Sequence, residues 1–216
     1  MNVLDRSLLR CGLLIPFWLA LGVSFTAMGY PGYDHLQLAM SQLGAVGAPT
    51  HGLSPLVNNF PLALLFALFA WGIARRWRGS RVAMVSAALL WLHAVGSFGT
   101  GWFACDQGCA PEQPSMSQQL HNLSGLLMFL SLTLASGLWV WLGARIAHSR
   151  VLAVFSLVCT LGAIVTVGFM GQAMQTGEWF GLYQRLNYGV GVLWVAVIAW
   201  YSLREHASTG AKAALA

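Results

Sequence analysis

Six apolar stretches of about 20 residues, at 8–28, 56–74, 82–103, 121–144, 151–173 and 184–203, alternate with polar connections along the 216-residue chain. Each is long enough to cross a hydrocarbon layer of about 30 Å as an α-helix. The pattern predicts an all-α fold: a polytopic membrane bundle of six transmembrane helices, with a short extra helix in the first outer loop. One domain is expected over 1–205, with a disordered cytoplasmic tail at 206–216. The first stretch follows Arg6 and Arg10 as a secretory signal would, but it is long and ends in Gly29-Tyr30-Pro31-Gly32-Tyr33 without a small-x-small site. It therefore reads as a retained helix, kinked at Pro16. Gly96, Gly99 and Gly101, then Gly162, Gly168 and Gly171, then Gly189 and Gly191, supply the small residues that let helix backbones approach where lipid gives no hydrophobic drive.

The first long connection, 29–54, has its own pattern. Asp34 and Gln37 have capping-box spacing, which predicts a helix over 35–43 stopped by Gly44. Ser54-Pro55 then reads as a cap and first turn of the second span.

Charge orients the pattern. Arg6, Arg10, Arg75, Arg76, Arg78, Arg81, Arg145, Arg150, Arg204 and Lys212 occupy alternate connections, and Asp34, Asp106, Glu112 and Glu178 the others. By the positive-inside rule both termini are cytoplasmic and the acidic loops face outward, the expected location being a bacterial inner membrane. Charged residues make up 8% of the chain and hydrophobic ones 57%, which is no soluble composition. The net charge of +5 sits beside helix ends, where membrane lipid accounts for it, so no nucleic-acid partner is expected. Tyr30, Tyr33, Trp102, Trp179 and Tyr183 crowd the outer boundary, where amphipathic rings anchor.

Cys105 and Cys109 flank a tight turn in an outer loop, and a disulfide is preferred there over a metal site. Four polar segments map to the same end of the bundle: Asp34 to Gln42 with His35 and Ser41, Asn58-Asn59, Asp106 to His121, and Gln184-Arg185 with Asn187. Their convergence points to a pocket opening outward. Arg185 is the one basic residue against the trend. It reads either as an ion pair with Asp106, Asp34 or Glu178, or as a planar fork for a carboxylate or phosphate. His121 is a helix-start residue or an acid–base or metal group. His93, deep in the third span, fits a neutral imidazole bonded to a neighbouring helix. His93 and His121 differ by too much in depth to clamp a haem, and no HxxxH, CxxCH or HExxH spacing exists, so no cofactor is expected. A metal-assisted hydrolase using Asp106, His121 and either His35 or His51 would rest on ligand types alone.

Tyr30-Pro31-Gly32-Tyr33, Ser41-Gln42-Leu43-Gly44, Phe103 through Asp106, His121, and Gly181-Leu182-Tyr183-Gln184-Arg185 together resemble the bacterial and archaeal family called domain of unknown function 998. The resemblance spans about residues 8–203 and departs at Ala104, where many relatives carry Pro. It implies a multi-pass membrane protein without an established activity, and it adds weight to Ser41, Asp106, His121 and Arg185 as a set. With Asn59, these form the expected ligand-binding residues. The leading expectation is binding or handling of a small anionic or lipid-headgroup ligand, as a transporter-like or sensor-like module. A membrane-embedded lipid hydrolase and a structural bundle without a ligand are the alternatives.

Overall fold

The computed structural model describes residues 1–213, with side chains through Arg204. The helices are α1 (Val3–Met28), α2 (Phe60–Arg76), α3 (Arg81–Trp102), α4 (Met116–Arg145), α5 (Arg150–Thr176) and α6 (Phe180–Ala213). All six carry segments long and apolar enough to span a membrane, and no strand occurs among the described residues. Of the tail expected at 206–216, residues 206–213 continue α6 and 214–216 lie outside the described residues.

Local chemistry sets the helix starts. Asn2, Ser80, Ser115 and Ser149 precede α1, α3, α4 and α5, and each side chain accepts from the backbone N–H three residues on. Gly177 ends α5 in the left-handed conformation a side chain would resist, at φ 76°. The start of α2 differs from the expected Ser54 cap. Ser54 makes no capping bond, and a π-helical turn over Pro55–Asn59 leads into the helix. Proline explains part of this. Pro61 has no N–H for the carbonyl of Val57, and the Trp18 indole on α1 donates to that carbonyl instead, at 2.8 Å.

Each helix packs on its sequence neighbours, and α6 returns to pack on α1, so the six close into a ring. Toward the Arg-rich end the ring is solid. Leu9, Phe66, Phe69, Ile73, Leu90, Leu142 and Ile198 are fully buried there among Trp77, Trp139 and Trp194. Each buried indole N–H is satisfied by a serine on another helix: Trp139 by Ser86 at 2.9 Å, Trp194 by Ser156 at 3.1 Å, and Trp77 by Ser202 at 3.3 Å. An indole left without a partner in a dry core would be costly, so these serines fix both contact and rotation.

The opposite end is built by loops. The helix expected over 35–43 is instead a run of turns followed by a short 3-10 helix, Met40–Gly44. The Asp34 side chain accepts only from the Leu36 N–H, at 2.8 Å, and Gln37 does not reach back to it. The Gln37 side-chain carbonyl accepts from the Trp179 N–H at 2.8 Å. The N–H groups of Gly181 and Leu182, unpaired at the start of α6, donate to the carbonyls of Gln37 and Leu36 at 3.2 and 2.8 Å. Tertiary pairing thus outweighs the local capping signal. The same loop clasps its neighbour through Val46 N–H to the Cys105 carbonyl at 2.9 Å and the Gln42 amide to the Gly108 carbonyl at 3.1 Å.

Candidate functional site

A cavity of about 920 Å³ occupies the loop-covered half of the bundle. Along α4 its wall runs from Gln118 to Ser136, about 27 Å at 1.5 Å per residue, so it is long and narrow. Ser41 and Gln42 of the first loop and Gly108 and Pro111 of the second border its mouth. Helical periodicity makes its two unlike walls. On α5, Cys159, Ala163, Val167, Met170 and Met174 recur every three or four residues and form an apolar stripe. Facing it, Asn59, His93, Ser97, Thr100, His121, Asn122 and Tyr188 give a polar wall. No Asp, Glu, Lys or Arg lines the cavity among the described residues.

The π-helical turn aims its two asparagines at different partners. Asn58 turns to α1, donating to Thr26 at 3.1 Å and Ser54 at 3.3 Å. Its side-chain oxygen is buried without a partner against Gly22, where a methyl group would sit 2.3 Å from it. Asn59 turns to α3 and donates to Thr100 at 2.9 Å, while its carbonyl accepts from the Ser97 hydroxyl at 3.0 Å. Deeper, His93 is 1% exposed. Its Nδ1 lies 3.0 Å from the Met128 carbonyl and its Nε2 lies 3.2 Å from the Tyr188 hydroxyl. The imidazole thus bonds to α4 and α6, as its place in the sequence suggests.

The five expected ligand residues separate into two groups. Ser41, Asn59 and His121 line the cavity. His121 is anchored by Nδ1, 2.8 Å from the Phe103 carbonyl. Asp106 and Arg185 do not line it, and the expected juxtaposition of Arg185 with Asp106 or His121 is not formed. The Asp106 carboxylate accepts from the Ser115 N–H at 2.9 Å and the Ser115 hydroxyl at 2.6 Å, closing the loop before α4. These bonds hold its carboxyl below the usual carboxylate value. Gln118 completes that corner, accepting from the Asp106 N–H at 2.8 Å and donating to Asn122 at 2.8 Å. Arg185 spends its guanidinium on the first loop. It donates to the Leu38 carbonyl at 3.0 Å, the Gly181 carbonyl at 2.9 Å, the Tyr33 hydroxyl at 2.7 Å and His35 Nδ1 at 3.2 Å. None of these partners is a carboxylate. A carbonyl, a phenol and an imidazole of the first loop, with the Gly181 carbonyl of α6 itself, supply the acceptors for which the sequence suggested Asp106, Asp34 or Glu178.

Partial desolvation and then the Arg185 charge push His35 down, keeping its ring neutral as an acceptor. Cys105 and Cys109 are joined as a disulfide with Cα atoms 5.0 Å apart, at the mouth beside Gln42. The histidines of the imagined metal set are dispersed: His51 sits on the carbonyls of Gly44 and Ala45, and His35 on Arg185. No cluster of three His, Cys, Asp or Glu forms among the described residues. Sequence reasoning missed Tyr188, Asn122 and Gln118. A phenol in the middle of an apolar span is the signal for the first, and polar residues four apart on one face of α4 are the signal for the others.

A family model described as "Protein of unknown function (DUF998)" matches residues 13–201. No curated protein and no solved structure matches the chain.

Proposed function

The chain belongs to the DUF998 family of multi-pass membrane proteins of unknown function, and on that premise we propose that it holds an amphipathic, lipid-class molecule inside its bundle. The observation that carries this is the cavity with one apolar and one polar wall, reaching from the loops deep between the helices. Such a cleft matches a ligand whose chain lies along α5 and whose polar end faces α3 and α4. Because no charged side chain among the described residues lines the wall, a polar end of no net charge is favoured over an anion. Arg185 serves by holding the first loop over the mouth. The alternation of Arg-rich and acidic connections supports a mouth facing away from the cytoplasm.

Gly125 provides the test. It lines the cavity and a Cβ there meets nothing within 4 Å, so a large side chain fills the space without displacing backbone. Protein purified in mild detergent is analysed for retained lipids by native mass spectrometry. The Gly125→Ala variant keeps a bound amphiphile seen with the parent chain, and Gly125→Phe loses it while unfolding at a similar temperature. An identical set of retained lipids in parent and Gly125→Phe protein would sink the proposal.

A further inference from the structure

The donors and acceptors of the cavity wall are unevenly spent, and their balance says what the occupant must bring. In a neutral His93, Nδ1 must carry the proton, because the Met128 carbonyl 3.0 Å away can only accept. Nε2 is then an acceptor, and the Tyr188 hydroxyl 3.2 Å away donates its single proton to it. Tyr188 is left with lone pairs alone. One residue earlier on α6, Asn187 uses both amide hydrogens on α5, on the Ala163 carbonyl at 2.8 Å and the Thr166 hydroxyl at 3.0 Å. Its side-chain oxygen is likewise only an acceptor. Higher up, the His121 ring is held on backbone carbonyls, its Nδ1 2.8 Å from that of Phe103. All three residues line the cavity.

Resting on the amphiphile reading above, we infer that the occupant is an uncharged lipid alcohol, whose hydroxyl donates its one proton to the Tyr188 oxygen. Tyr188 lies eight residues into α6, about 12 Å along the helix, which is below the mouth. A carboxylate or phosphate there would meet lone pairs. An ammonium would find acceptors but no counter-charge, which is costly at this depth. A hydroxyl satisfies an acceptor and adds no charge.

The experiment uses the full chain in phosphatidylcholine nanodiscs with a diazirine-bearing analogue of hexadecanol, and with the matching methyl ether and hexadecanoate. Crosslink yield and site are read by peptide mass spectrometry. The alcohol should label the cavity about tenfold more efficiently than the ether or the carboxylate, the scale of one well-made hydrogen bond. Tyr188→Phe should bring the alcohol down to the ether's level, and thermal unfolding in detergent reports that the variant is folded. Gly125→Phe should abolish labelling by both. Equal labelling by alcohol and ether, lost together in Gly125→Phe, would overturn the hydroxyl assignment while leaving the amphiphile reading intact. Preferential labelling by the carboxylate would overturn it as well. Labelling indifferent to Gly125→Phe would overturn both.

Discussion

At Gly181 there is no room for a methyl group. A Cβ would lie 2.4 Å from the Leu38 carbonyl oxygen and 2.7 Å from that of His35, both backbone atoms that cannot rotate away. Gly181→Ala should therefore destabilise the protein by about 1–3 kcal/mol, the range for overpacking. Gly189→Ala, on the same helix with nothing within 4 Å, should be neutral or slightly stabilising. Thermal unfolding in detergent separates the two. His35 gives a pH dependence. Its folded value is depressed, so protonation favours the unfolded chain. The stabilisation is full above the ordinary value of about 6.5 and declines as pH falls below it. Lowering pH from 7 to 5 should cost the parent protein more thermal stability than His35→Gln, whose side-chain oxygen can still accept from Arg185. Equal losses would remove His35 from the account. Arg185 also shows where sequence stops. Its exception to the charge trend was visible, but two of its four partners are backbone carbonyls, which every residue carries and no residue type announces.

Helices were the legible scale. Apolar length located the spans, because it acts within a few residues, whereas the one serine cap expected from sequence, Ser54, makes no capping bond, and Ser80, Ser115 and Ser149 cap α3, α4 and α5 unannounced. The first loop misled for the opposite reason: Gln37 has the local spacing of a cap, yet its carbonyl is taken by Trp179, 142 residues away. The tryptophan–serine contacts between helices were equally unreadable, since Ser86 and Trp139 are 53 residues apart. Ser86→Ala should leave the Trp139 N–H without a partner and cost about 1 kcal/mol, the scale of interhelical hydrogen bonds in membranes. Ser156→Ala should do the same for Trp194, and the two losses should add, as they involve no shared partner. Unfolding of the single and double variants checks this; a double loss well short of the sum would indicate coupled packing.

For the molecule as a whole, topology is the first matter to test. Gly52 and Gly79 lie in connections at opposite ends of the bundle, and a side chain at either meets nothing within 4 Å. A cysteine at Gly52 should react with a membrane-impermeant maleimide in intact cells, and one at Gly79 only after lysis. The reverse pattern would invert the orientation and turn the cavity mouth toward the cytoplasm. Sequence indicated that polar segments gather at one end, and they do, but around two centres: a neutral cavity, and a charged fastening beside it. Which residue joins which centre depends on helix rotation, which a six-span pattern leaves open.

The return of α6 onto α1 also has a temporal meaning. The ribosome delivers α6 after the other five, and until it arrives they form an open arc. Tyr188, Gln184 and Asn187 are not yet in place, and the first loop lacks the Gly181, Leu182 and Arg185 groups that hold it. The cavity is therefore closed only when α6 takes its place, with its side open to surrounding lipid until that moment. A chain stopped before α6 would leave the polar groups of α3 and α4 that line the cavity facing lipid, a state that quality-control proteases can recognise.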